Sequence, residues 1–301
     1  MQNTIQTIDT IDTTKSVVQA LNLQAFKEKG IEVYIKRDDL IHPLISGNKW
    51  RKLKYLITHA NDIGIKKIVS FGGAYSNHLP AMALAAKIYG FESAAFVRGD
   101  ELNANSNHRL SFLKSCGMNL HFTTRELYRD KQSLYNNIYG NDPETLFVDE
   151  GGKSNWAIEG CEEIVKEIDR HFDHIILPVG TGATLSGVVS GCHQFQPNAY
   201  THGVVVLKGA EYLNDEVKKL IPRLSNYSMH HQFHEGGYAK KSIELENTMK
   251  QFYNETGIPT EHIYSGKMIL AAYKLLQNKS FIAGDKIMLL HTGGILNIDQ
   301  L

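Results

Sequence analysis

The chain has 301 residues, 42% hydrophobic and 21% charged, with 32 basic side chains set against 32 acidic ones. That length can bury one large core or two smaller ones, and a formal charge of zero argues against a nucleic-acid or membrane surface as the main partner, since both draw on a clustered positive excess. Small polar or zwitterionic ligands suit such a chain better. The start, residues 1–15, lacks the basic-then-apolar order of a secretory signal, and no apolar run approaches membrane-spanning length, so a cytoplasmic protein is expected. Cys116, Cys161 and Cys192 are odd in number and lack CxxC pairing, which points to buried thiols rather than a disulfide framework or a zinc knuckle.

Along the chain, strands are predicted over 31–36, 67–71, 93–97, 119–122, 145–148, 174–177, 203–207 and 286–290. Helices are predicted over 49–61, 78–89, 105–116, 155–170, 184–195, 242–255 and 266–276. This βαβα order is the signature of an α/β fold with mostly parallel, doubly wound sheets. Length favours two such domains with a cleft between them.

Four segments put glycine and small polar residues where a strand meets a helix, the place ligands occupy in open α/β sheets. In Ser46-Gly47-Asn48-Lys49-Trp50-Arg51-Lys52-Leu53 a glycine turn delivers Lys49 at a helix start among other positive groups, which pushes a lysine toward its neutral, nucleophilic amine. In Phe71-Gly72-Gly73-Ala74-Tyr75-Ser76-Asn77-His78, helix-start amides with the Ser76 hydroxyl and Asn77 amide can hold a carboxylate or ring oxygen. Taken locally, the same residues are a capping turn. In Pro178-Val179-Gly180-Thr181-Gly182-Ala183-Thr184-Leu185, glycines let several amides converge and two threonines add donors, a cradle for a phosphate. Neither a Gly-Lys-Ser/Thr nor the dinucleotide glycine spacing is present. Last, Ile263-Tyr264-Ser265-Gly266-Lys267 and His291-Thr292-Gly293-Gly294 offer a proton donor, a hydroxyl for a ring nitrogen and a close approach to a flat ligand.

An amine, a phosphate cradle and groups for a planar ring and a carboxylate together describe a pyridoxal-phosphate site. With Lys36-Arg37-Asp38-Asp39 added, the motifs around Lys49, Ser76-Asn77-His78 and Tyr264-Ser265-Gly266-Lys267 resemble the 1-aminocyclopropane-1-carboxylate deaminase and D-cysteine desulfhydrase family, from about residue 31 to 294. The resemblance implies a fold type II pyridoxal-phosphate enzyme and a homodimer acting on a small amino acid. Its large cofactor-binding domain would take 1–51 and 150–301, with a small α/β domain, 52–149, inserted. It makes Lys49 the lysine that joins the cofactor aldehyde and Lys52 a phosphate contact, with Gly180, Thr181, Gly182, Ala183 and Thr184 holding the other phosphate oxygens. Asn77 falls against the ring hydroxyl, Ser265 by the ring nitrogen, and Ser76, Asn77 and His78 on the substrate carboxylate. Tyr264 matches one catalytic tyrosine, and Tyr238, 26 positions earlier, matches the second.

Where the cyclopropane deaminases carry a glutamate after the tyrosine, which keeps the ring nitrogen protonated, this chain has Ser265. A neutral hydroxyl cannot enforce that proton as a carboxylate does, so expulsion of a β-substituent is favoured over ring opening. Thr292 also matches the desulfhydrase side. Tyr75 and Leu79-Pro80 depart from the family pattern of glutamine before the Ser-Asn pair and a polar continuation after it, which bears on substrate choice. His230, His231 and His234 are expected at the surface rather than on a metal, because neighbours on a strand point to opposite faces. A non-catalytic binding homologue is the remaining alternative.

Overall fold

The structure, a computed structural model, describes residues 11–45 and 47–294; Ser46 and the expectations at either end of the chain lie outside the described residues. The elements run β1 Val18–Leu21, α1 Gln24–Lys27, β2 Glu32–Lys36, α2 Asn48–Asp62, β3 Lys67–Gly73, α3 His78–Tyr89, β4 Glu92–Arg98, α4 His108–Ser115, β5 Asn119–Thr123 and α5 Lys131–Tyr139. They continue with β6 Thr145–Phe147, α6 Asn155–Lys166, β7 His174–Val179, α7 Ala183–Phe195, β8 Tyr200–Val205, α8 Leu213–Leu220, β9 Tyr227–His230, α9 Ile243–Thr256, α10 Ser265–Gln277 and β10 Lys286–Leu290.

Two sheets result, a six-stranded one ordered β1-β2-β10-β7-β8-β9 and a four-stranded one ordered β5-β4-β3-β6. All pairings are parallel except β1 with β2, so the mostly parallel α/β class expected from the sequence is the class observed. The four-stranded sheet is built by consecutive strands that fall between β2 and β7 in the chain.

Alternation along each central strand covers both faces of the larger sheet. Ile175, Leu177 and Val179 pack with α6, α7 and α8, whereas Ile176, Ile287 and Leu289 pack with residues of α9 and α10. Strands buried on both faces read as continuous apolar runs, which is why β7 and β10 were legible. In the smaller sheet α3 is an alanine-rich helix with nine buried residues. Its Pro80 sits in the first turn, where no intrahelical donor is lost, and Gly90 ends it in the left-handed region at φ 78°.

The structure also corrects the sequence reading. The 105–116 helix begins later, because Asn107 rather than Asn105 caps α4, accepting from the Leu110 amide. Edge strands β1 and β9 and the short helices α5 and α8 were not foreseen. His230 is not a free surface histidine. It ends a half-buried ladder across β7, β8 and β9, in which His174 contacts Asp285 at 3.3 Å and His202 at 3.1 Å, and His202 contacts His230 at 3.1 Å. Among the described residues no group of histidines, cysteines and carboxylates is arranged to hold a metal, and no helix is long and apolar enough to cross a membrane.

Candidate active site

Lys49 enters the site on the first turn of α2. The residue before that helix, Gly47, has φ 57°, and a Cβ there would lie 2.0 Å from the Thr292 carbonyl oxygen, so only glycine passes. The Asn48 amide donates to that same carbonyl at 3.3 Å. The segment following β10 is thereby locked against the start of α2. Asn48 then bridges outward: its Nδ2 donates to Thr184 Oγ1 at 2.7 Å, and its Oδ1 accepts from Lys49 Nζ at 2.8 Å.

Desolvation, then the nearby Lys52 cation, pushes the Lys49 pKa down to about 7, against a weaker pull from Cys161 and Glu261. One turn on, buried Lys52 donates to the Gly151 carbonyl at 3.1 Å, and burial lowers its pKa as well. The 3-10 turn Glu150–Gly152 closes against the glycine loop. A Cβ on Gly151 would stand 2.9 Å from Thr181 Cγ2, and one on Gly152 would stand 3.5 Å from His78 Nδ1.

Around this turn two polar atoms, Thr181 Oγ1 and His78 Nδ1, are buried without a hydrogen-bond partner. Such atoms cost about 1–3 kcal/mol each unless a ligand satisfies them. Gly182, at φ 83°, precedes α7 without a side-chain cap, which leaves the first amides of that helix open to an anion. His78 pairs through Nε2 with Ser70 Oγ at 2.9 Å, and burial with the Lys52 and Lys49 charges pushes its pKa down to about 3, so it is a neutral imidazole.

The tyrosines approach from the other side. A Cβ on Gly180 would lie 3.2 Å from the Tyr264 ring, and the ring centroid is 6.0 Å from Lys49 Nζ. Tyr238 meets Tyr264 edge to face with centroids 6.1 Å apart. Burial raises the pKa of both hydroxyls, that of Tyr264 well above its ordinary value. Buried Lys267 donates to the Gly237 carbonyl at 2.6 Å and so ties the Tyr238 loop to α10.

The structure therefore gathers Lys49, Lys52, Gly180, Thr181, Gly182, Ala183, Thr184, Tyr264 and Tyr238 about one locus. Three further candidate residues make contacts within the chain. Ser76 Oγ accepts from the His78 and Leu79 amides at 3.1 and 3.4 Å and so caps α3. His78 turns toward Ser70 and the Gly152 side. Ser265 is fully buried, and its hydroxyl accepts from the Glu261 amide at 2.9 Å while lying 3.2 Å from Glu261 Oε1.

Asn48 and Glu261 were missed in the sequence. Glu261 accepts from the amides of Ile263, Tyr264 and Ser265 at 2.7, 2.8 and 2.8 Å. An acidic residue just ahead of a helix start was the available signal. Asn48 carried no signal of its own beside Lys49.

The donor set fits pyridoxal phosphate: an amine near neutrality for the aldehyde, and an unpartnered threonine hydroxyl with open helix-start amides for the phosphate. The chain belongs to the pyridoxal-phosphate dependent enzymes, whose family profile matches residues 13–293. A bifunctional D-cysteine desulfhydrase/1-aminocyclopropane-1-carboxylate deaminase of Arabidopsis thaliana is 29% identical over 300 residues, 89% of this chain and 74% of that protein. A Thermotoga maritima protein, provisionally named a 1-aminocyclopropane-1-carboxylate deaminase, is 28% identical over 296 residues, 92% of this chain and 93% of its own. The crystal structure of an ACC deaminase homologue superposes with a TM-score of 0.82 at 24% identity, over 98% of this chain and 96% of that one, and shares the fold.

Proposed function

We propose that this enzyme releases a 2-keto acid and ammonia by β-elimination from a small amino acid, in the manner of a D-cysteine desulfhydrase. The observation that carries the reading is the Lys49 amine, held near a pKa of about 7 beside the Tyr264 ring. When bound, the cofactor supplies an aldehyde for amines and an electron sink that acidifies the Cα–H of the amino acid. Lys49, its pKa lowered toward neutrality by burial and the Lys52 charge, would be the amine that holds the cofactor at its aldehyde and would take the Cα proton on Nζ.

Lys52, Gly180, Thr181, Gly182, Ala183 and Thr184 hold the phosphate. Asn77 and Ser265 face the ring, and Ser76, Asn77 and His78 orient the substrate carboxylate, His78 as a neutral donor. Tyr264 and Tyr238 keep their protons far above neutral pH, so either delivers one to the departing β-group. The same reading makes the protein a cytoplasmic homodimer with 52–149 as its inserted lobe; sedimentation at micromolar concentration tests the dimer.

One observation favours the cyclopropane deaminase reading. The Glu261 carboxylate lies one hydrogen bond behind Ser265, so a negative charge is present close to the position where that branch carries its glutamate. Keto-acid release from D-cysteine, D-serine and 1-aminocyclopropane-1-carboxylate separates the two. D-Cysteine turnover exceeding that of the cyclopropane is the result expected; turnover of the cyclopropane alone would overturn the desulfhydrase assignment.

A further inference from the structure

Arg109, in the first turn of α4, reaches out of its helix to the loop joining β3 to α3. Its Nη1 donates to the carbonyls of Tyr75 and Ser76 at 3.2 and 3.5 Å and to Asn77 Oδ1. From the same helix start, Asn107 Nδ2 donates to the Ala74 carbonyl at 3.3 Å. Two side chains of one helix end thus grip the loop from Ala74 to Asn77, and no ion pair to a carboxylate competes for Arg109 among the described residues.

A guanidinium carries donors only. The end of the Asn77 carboxamide that faces it must be the oxygen, and Nδ2 is turned away, to within 3.5 Å of where a Cβ on Gly294 would lie. A free asparagine flips readily between its two ends; this one cannot without setting donor against donor. We propose that Arg109 is a positioning residue that fixes Asn77 as a hydrogen-bond donor toward the bound cofactor, an inference that rests on the reading of Asn77 as the contact of the ring hydroxyl oxygen.

A donor on that oxygen stabilises its ionised form, whereas a flipped carboxamide would oppose it with a carbonyl. The Arg109 charge also reaches Tyr238, whose hydroxyl it eases downward against the larger upward effect of burial. One cation therefore serves both the ring side and the tyrosine side of the site.

The test uses the holoenzyme of Arg109→Met, Arg109→Lys and Asn77→Ala, with the pH midpoint of the cofactor's visible absorbance read beside kcat, KM and melting temperature. Arg109→Met should raise the midpoint by roughly one unit and lower kcat roughly tenfold, the effect of one lost hydrogen bond, with little change in KM. Arg109→Lys, also donor-only, should restore most of both, and Asn77→Ala should shift the midpoint in the same direction. If Asn77→Ala shifts the midpoint and Arg109→Met does not, the positioning role is wrong, even where the melting temperature falls. If neither variant shifts it, the placement of Asn77 against the cofactor fails, and the role of Arg109 with it.

Discussion

Helix α2 carries two cations two residues apart, Lys49 and Arg51, and they meet opposite fates. Arg51 is fully buried, with Asp38 taking Nε and Nη2 at 3.2 and 3.1 Å and Glu167 taking Nη1 and Nη2 at 2.5 and 2.8 Å. Lys36 adds its own bond to Glu167 at 2.8 Å. Burial alone would weaken the Arg51 cation, yet Asp38 and Glu167 outweigh it and drive its pKa up. Lys49 has a second cation as neighbour instead, and its pKa falls to about 7. Burial acts on both residues, but the partner decides which becomes an inert strut and which a nucleophile.

The largest effect that probes this contrast is on chemistry. Lys49→Ala should cost roughly a thousandfold or more in turnover while leaving the melting temperature within a few degrees, because it strands no buried charge. Arg51→Met should do the reverse, destabilising the fold by about 3–5 kcal/mol as Asp38 loses its main partner, read by urea unfolding. Thr181→Val should weaken cofactor binding roughly tenfold by removing one charge-assisted hydrogen bond, measured by equilibrium dialysis.

Smaller effects sharpen the picture further. Lys52→Met removes the like charge beside Lys49, so the Lys49 pKa should move up from about 7, seen as a more alkaline midpoint for aldehyde capture. At the histidine ladder, folding keeps His202 neutral down to about pH 3, burial being the main cause, whereas its ordinary pKa is 6.5. The unfolded chain therefore binds a proton that the folded one refuses, and stability should fall as pH drops below about 6.5. His202→Asn should flatten that slope. An unchanged slope would place the acid sensitivity elsewhere.

How much of this was legible followed physical lines. The central strands announced themselves as apolar runs because they are buried on both faces, and Lys49, Thr181 and Tyr264 could be read because glycines and hydroxyls cluster at the starts of α2, α7 and α10. Edge strands β1 and β9 are only half-buried and carry little pattern. Arg109 and Asn48 act on segments that other elements bring to them, and Arg109 lies 32 residues from the asparagine it holds, so no local spacing could connect the two. The Ser265 hydroxyl is tied to Glu261, four residues earlier in the turn before the helix, where the local pattern shows only a cap.

The most direct test of the account is the pH dependence with which cofactor-stripped protein captures pyridoxal phosphate, trapped by borohydride and located by peptide mass spectrometry. The label should fall on Lys49, with a rate half-maximal near pH 7. A midpoint near the ordinary lysine value of 10.5, or a label on a different lysine, would contradict it.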